Sequence, residues 1–540
     1  MTRGVSVKKC GGAVFKICLI AVLVGLVIVP LLNMLTVLTA EDIRAVLTGA
    51  RFLPAFGNTL WLTAAATAIV ILLAYLLAWC TVRTDIRFKG LFNIILVLPM
   101  LIPSISHGMG LVILLGQNGL ITRSFDLDIS IYGPVGIIFG SVMYAFPVAF
   151  IMLSDVLRYE DRSVYQAADV LGIGKGRRFL HITLPYMRKP LLAAAFATFA
   201  LIATDYGVPL MIGGRTKTLS LLMYEEVIGR LKFGRGCVYG LILLIPAVAA
   251  FICDLADRGR ASTAFTRVQE GRKSSRTQNA FAYSVCSAVS LAALLPIIAF
   301  VLLAFAKNYP MDMTFTLDNI ISTMSRRGGM DFLINSLIIA AATALAATLI
   351  GFAAAYLTAR MKGGLSSALH LLVLTLMAIP GIVLGLSYVI FFSGSMVEGT
   401  LVILVMVNTA HFISSPYLMM YNTLGKMNVE LEAVGRTLGV GRLRIIKDVF
   451  LPQVFGTVAE MFSYLFVNCM MTISAVSFLS TLGTRPISLM INQFEAQMQY
   501  ESAAVVSLVI LLVNIAVKTV IGIIKRMHTK GIFERKLLYK

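Results

Sequence analysis

Few side chains in this 540-residue chain are of a type that does chemistry, and they are scattered. The clearest is Asp205, in Thr204-Asp205-Tyr206-Gly207-Val208-Pro209. It lies within the fifth apolar run, toward its outer third, where burying an ionisable group costs about 2.5–3.5 kcal/mol and usually marks a use. Two readings stay open for it. Asp205 and Tyr206 could contact a solute or gate in a path, or Asp205 could be a helix-end acid, with Gly207 and Pro209 ending the helix. The corresponding later stretch, Met471-Thr472-Ile473-Ser474, is uncharged, and Thr472 and Ser474 would face the same path from the other side. His107 and His411 sit alone in apolar runs and read as packed histidines or helix-contact donors. The seven cysteines include no CxxC pair, so they read as small packing residues and not as a disulfide or zinc framework. No metal-ligand spacing and no Ser/His/Asp constellation is found, so no metal, cofactor or catalytic residue is expected. Gly172-Ile-Gly-Lys175 has one Gly-Lys step but lacks the GxxxxGK[ST] spacing that cradles phosphate.

The elements that position these residues follow from composition. Hydrophobic residues make up 58% of the chain and charged ones only 13%, against roughly 25% charged in soluble domains. That excludes a soluble enzyme and a disordered chain. Apolar runs long enough for a bilayer are expected near 14–39, 58–82, 91–116, 133–157, 190–212 and 236–253, and again near 281–305, 333–358, 366–393, 399–424, 454–482 and 502–524. Between the two sets lies a polar segment with Arg258, Arg260, Arg267, Arg272, Lys273 and Arg276. The predicted fold class is therefore an all-α polytopic membrane protein of about twelve transmembrane helices. Its domains are 1–253, a linker 254–280, and 281–540. The net charge of +20 has no basic face of its own, which argues against nucleic acid and for loops beside anionic lipid.

With an internal amino terminus, 32 of the 46 Lys and Arg fall in segments on the inner side and 12 outside. Positive charge stays inside, so both termini are expected in the cytoplasm. The outer segment 213–235 is the exception, with five Lys and Arg, and is expected to hold a short re-entrant or interfacial helix. Pro99, Pro103 and Pro380 are expected to kink the third and ninth spans.

The chain also repeats itself. Asn58 to Arg83 lies over Asn335 to Arg360 without a gap, and Ile102-Pro103 lies over Ile379-Pro380. Further on, Leu171-Gly172 and Leu184-Pro185 lie over Leu438-Gly439 and Leu451-Pro452. Six spans per half make the repeat parallel, as opposed to inverted. A translocation path between the halves follows.

Two inner connections, 158–189 and 426–453, are long and duplicated. The first carries Gln166-Ala167-Ala168, then Leu171-Gly172, and ends in Leu184-Pro185. The second carries Glu432-Ala433, then Leu438-Gly439, and ends in Leu451-Pro452. Each reads as a short helix of small residues ended by Gly, then a basic helix, with Pro opening the next segment. Lys175, Arg177, Arg178, Arg442, Arg444 and Lys447 would supply charge at a contact, and the small residues would let a partner approach.

The pattern resembles the EAA loop of permease subunits of binding-protein-dependent ABC importers: Glu-Ala-Ala, two residues, Leu-Gly, then Ile-x-Leu-Pro. The acidic position is Gln166 in one copy and Ala433 in the other, with Glu432 one place early. The resemblance implies a bacterial inner-membrane permease with a type I importer fold. Its partners would be a separate ATPase dimer at the two loops, an extracytoplasmic solute-binding protein and lipid. It would not itself be an enzyme. Fused two-half permeases of this length resemble importers for phosphonates such as 2-aminoethylphosphonate and for ferric iron. The stretch Thr204 to Gly214 favours the phosphonate branch, with ferric iron the alternative. A secondary transporter, needing no ATPase, and a membrane enzyme, needing a convergent catalytic set, are the readings from other classes.

Overall fold

The computed structural model describes residues 2–126, 128, 130–158, 163–258 and 274–538. Of the linker expected at 254–280, Arg260, Arg267, Arg272 and Lys273 lie outside the described residues, as do the side chains of Cys10, Lys175, Cys253, Arg258 and Arg436. The described chain is helical apart from one antiparallel hairpin, Ala306–Asn308 with Asp312–Phe315. Among the described residues, eight helices are long and apolar enough to cross a bilayer, three bent helix pairs bring this to eleven if each is one span, and Phe233–Ala249 is a shorter apolar helix. Each coincides with a stretch expected from the sequence.

Phe52–Arg83 and Gly329–Arg360 each run 32 residues without a break. At about 1.5 Å per residue such a helix outreaches a roughly 30 Å hydrocarbon core, so its last turn leaves the membrane. Their buried faces are mostly Ala, Thr and Gly, including Ala66, Ala74 and Ala78 in the first and Ala340, Ala344, Ala347 and Gly351 in the second. Small residues let apolar helices pack backbone to backbone where there is no water to drive them together.

The prolines do more than kink. Lys89–Leu101 and Ser104–Ser124 meet at 102°, and Gly364–Ala378 and Gly381–Phe391 at 103°. The cause is local. Ile102 (φ −118°, ψ 150°) and Ile379 (φ −90°, ψ 117°) are extended, as a residue before proline prefers. Pro103 and Pro380 then open new helices where their missing N–H is harmless. Both predicted kinks are therefore breaks.

Two span boundaries are also corrected. The helices expected over 190–212 and 454–482 end at Thr204 and Met471. The segment after the first forms short helices, Gly207–Ile212 and Leu219–Tyr224, whose residues are largely buried.

Spatial clustering groups the chain differently from its repeat. One compact unit holds residues 1–38, 324–490 and 509–540, and the other holds 39–323 and 491–508. The amino-terminal helix thus packs on Gly364–Thr375 and Gly329–Arg360, elements of the second repeat. In the other unit, Arg276–Ala304 packs on Phe52–Arg83, Lys89–Val97 and Ser104–Leu115 of the first repeat. The approach is close at Gly110, where a Cβ would lie 2.6 Å from Pro296 Cβ. Cys80 and Cys286 are both buried in the core cluster that joins these helices. Oxidising membranes with copper phenanthroline and then cutting a protease site inserted at residue 265 should leave the two fragments joined until reductant is added. Cys286→Ala should release them at once. Fragments that separate without reductant in the unaltered protein would contradict the packing of Arg276–Ala304.

Candidate functional site

Both long inner connections fold alike. The first runs through helix Ser163–Val170, a turn, and Lys175–Arg178 continuing as a wider π-helical turn, Phe179–Thr183, into Leu184–Thr204. The second runs through Leu431–Thr437, Arg442–Ile445 and the π-helical turn Ile446–Phe450 into Leu451–Met471. Gly172 (φ +67°) and Gly439 (φ +68°) are left-handed, a conformation that side chains with a Cβ disfavour. Ile173 N donates to Ala168 O at 2.9 Å and Gly172 N to Asp169 O at 3.1 Å, which makes a Schellman cap. In the second loop Val440 N donates to Gly435 O at 2.8 Å in the same way. Pro185 and Pro452 stand in the first turn of their helices.

The small residues do not all face outward. Ala168 is buried, and a Cβ on Gly435 would lie 2.3 Å from Ile445 Cδ1. At this position the loop packs on its own second helix. What it presents outward is apolar: Val170 is 89% exposed, Leu171 73% and Leu438 72%. Gln166, Ala167 and Ala433 are exposed beside them.

Each loop is tied to the end of a 32-residue helix. Arg360 Nε donates to Glu432 Oε1 at 2.8 Å, and its guanidinium also donates to Met427 O and Asn428 O at 2.9 and 2.6 Å. The Arg360 side chain is only 3% exposed and that of Glu432 14%. The position matching Glu432 in the first loop is Tyr165, and there Arg83 stacks on the ring, 4.8 Å from its centroid. The displaced acid therefore turns back into the protein to neutralise a buried guanidinium. The sequence signal for this was the Arg83/Arg360 identity; its partner could not be read from spacing.

Asp205 and Tyr206 lie in one compact unit, Thr472 and Ser474 in the other. Asp205 is not inside a span. It is the residue that ends Leu184–Thr204, in extended backbone (φ −75°, ψ 130°). Its carboxylate accepts from Val208 N at 2.9 Å, from Gly207 N and from the Ser104 hydroxyl. It thus caps the short helix Gly207–Ile212 and fastens it to the broken span. Its carbonyl accepts from Ser220 Oγ at 2.8 Å, and that of Thr472 accepts from Ser488 Oγ at 2.7 Å. Tyr206 is buried and stacks on Tyr224, ring centroids 4.5 Å apart. Ser474 Oγ and His411 Nε2 converge on Gly381, 2.7 and 2.8 Å from where its Cβ would stand. His107 Nδ1 lies 3.2 Å from Pro103 O, with its ring 5.8 Å from that of Tyr144.

An all-α polytopic chain with two copies of one loop and one broken span defines a class, a two-repeat membrane transport component. The family described as "Binding-protein-dependent transport system inner membrane component" matches residues 70–256 and again 347–530. The chain belongs to that family and is a multi-pass inner-membrane component of an ABC importer. Among curated relatives, the ferric transport system permease protein FbpB of Actinobacillus pleuropneumoniae is 23% identical over 463 residues, 82% of this chain and 67% of its own. The Fe(3+)-transport system permease protein FbpB 2 of Haemophilus influenzae is 22% identical over 472 residues, 84% of this chain and 87% of its own. The molybdenum transport system permease protein ModB of Azotobacter vinelandii is 27% identical over 182 residues, 32% of this chain and 80% of its own. Two of these relatives are thus named for ferric transport and one for molybdenum.

If Asp205 is a cap, an uncharged acceptor should serve. Asp205→Asn should keep most of the unfolding midpoint in detergent, whereas Asp205→Ala should lose about 1 kcal/mol of stability, the usual cost of a missing cap. Equal midpoints for Ala and wild type would contradict the capping role.

Proposed function

We propose that this chain is the complete membrane unit of an ABC importer for ferric iron. The observation that carries the substrate is that relatives matching 82% and 84% of this chain are named ferric transport permeases. The two repeats, 1–253 and 281–540, each supply one permease domain, and the two family matches support that division. Both termini lie in the cytoplasm, a reading supported by the 32 inner Lys and Arg.

Mechanistically, the loops 158–189 and 426–453 are the EAA loops, and each docks in a cleft of one ATPase subunit. Val170, Leu171 and Leu438 are the apolar tips that enter it, and Gly172 and Gly439 allow the sharp turn behind them. Hydrolysis moves the ATPase subunits, and Arg83 and Arg360 pass that movement to the ends of the two long helices. Conformational change of this kind needs a discrete two-state element that the partner biases, and the broken spans at Pro103 and Pro380 supply hinge points. Asp205 and Tyr206 in one repeat, and Thr472 and Ser474 in the other, stand where the fifth helix gives way to an irregular segment, and no proton relay is required of them. On the outer side a solute-binding protein delivers the cargo.

The test is ligand-dependent thermal stabilisation of the cognate binding protein, since a bound ligand stabilises by mass action. Ferric ion should raise its unfolding midpoint and 2-aminoethylphosphonate should not. Stabilisation by the phosphonate alone would overturn the ferric assignment. Uptake that persists when the ATPase cannot hydrolyse ATP would overturn the importer mechanism in favour of a secondary transporter.

A further inference from the structure

Lys16 lies in the apolar amino-terminal helix and is only 6% exposed. A buried ammonium survives only where it is paired or fully hydrogen-bonded, and its partners here are informative. Its Nζ donates to Met361 O at 2.8 Å and to Ser366 Oγ at 2.6 Å. Met361 is the residue that closes Gly329–Arg360, so the ammonium sits at the negative end of that helix dipole. Met361 is also a junction. Its neighbour Arg360 holds Glu432 and the entry to the second loop, and its own Sδ accepts from Arg442 Nη1 at 3.3 Å, at the start of that loop's second helix. Both arms of the loop therefore meet the turn that Lys16 fixes.

The other unit repeats the arrangement with different groups. The turn after Phe52–Arg83 is held by the start of Arg276–Ala304: Asp85 N donates to Asn279 Oδ1 at 3.0 Å, and Arg87 N to the Tyr283 hydroxyl at 2.6 Å. The same turn is thus pinned twice, each time by the first helix of the other repeat and each time beside the arginine that holds a loop. Recurrence of the contact with unrelated chemistry argues that the contact itself is what matters.

We propose that Lys16 is a positioning residue for the loop 426–453, so that the amino-terminal helix sets how that loop stands against its ATPase subunit. The inference rests on the coupling role given to the loop above. Lys16→Met keeps the packed stem and removes the ammonium, leaving the Met361 carbonyl with Ser366 Oγ as its remaining side-chain donor.

The experiment uses the whole importer, purified with its ATPase and supplied with loaded binding protein. The readouts are stimulation of ATP hydrolysis by the binding protein and the affinity of the ATPase for the membrane unit. Lys16→Met should lower both by roughly two- to tenfold, the usual reach of a residue that modulates coupling, and Lys16→Arg should restore most of the loss. Ser366→Ala should shift both in the same direction by less, and it carries the test if Lys16→Met does not insert. Combining Lys16→Met with Glu432→Gln should give less than the product of the single effects, because both act on one loop. Wild-type stimulation in Lys16→Met and Ser366→Ala, a lowered unfolding midpoint without lowered stimulation, or effects that simply multiply would overturn the proposal. Gly439→Pro separates the two claims: if it still co-purifies with the ATPase at wild-type yield, the coupling role of the loop itself has failed.

Discussion

A guanidinium with 3% exposure cannot stay charged without partners, and the need to satisfy Arg360 organises the inner end of the second repeat. Three carbonyls, one at the end of helix Ser414–Gly425 and two in the loop, and one carboxylate converge on it, all from 424–432. Such a pair is weak evidence for added stability, because desolvation offsets most of the Coulombic gain. Its strength is directional: removing one partner strands the other, at a cost of about 3–5 kcal/mol. The loop is therefore held in one register relative to a helix long enough to cross the membrane. In the first repeat a tyrosine ring, that of Tyr165, stands against Arg83 at the position that the Glu432 carboxylate holds against Arg360. The two loops are alike in backbone and differ in the side chain that meets the arginine.

The same logic acts at the other end of the long helices. Backbone groups inside or beside a bilayer need partners from the protein. Thr59 Oγ1 accepts from Leu219 N at 2.9 Å, and Ser336 Oγ accepts from Ile487 N at 2.7 Å. Asn58 Nδ2 donates to Lys217 O at 3.2 Å, and Asn335 Nδ2 to Gly483 O at 2.9 Å. The Asn-Ser/Thr-Leu start of each repeat is thus a clasp for the irregular segment that follows the fifth helix. Asp205 adds a further clasp in the first repeat only.

The spans, the repeat and the position of each loop were legible because they depend on local apolarity and on spacing within one stretch of chain. The proline breaks were legible in place and not in angle: a proline marks where a helix stops, whereas the 102° bend depends on what Ser104–Leu115 packs against. Asp205 was misplaced by a few residues because apolar composition continues past Thr204, where Gly207 and Pro209 already open another helix. The exchange of first helices left no trace in periodicity, since which core an apolar helix joins is a tertiary matter. Small residues in the loops were read as a partner surface, and Ala168 and Gly435 proved to be internal packing; the exposed leucines beside them carry the outward face.

In the coupling proposed above, the pair Arg360–Glu432 holds the second loop in the register from which the ATPase drives the long helix. Charge exchange tests it most directly. Transport and binding-protein-stimulated ATP hydrolysis should fall in Arg360→Glu and in Glu432→Arg, and should recover in large part in the protein carrying both, since the exchanged pair restores opposite charges at the same contact. Single variants that transport normally, or a double variant no better than the worse single one, would contradict it.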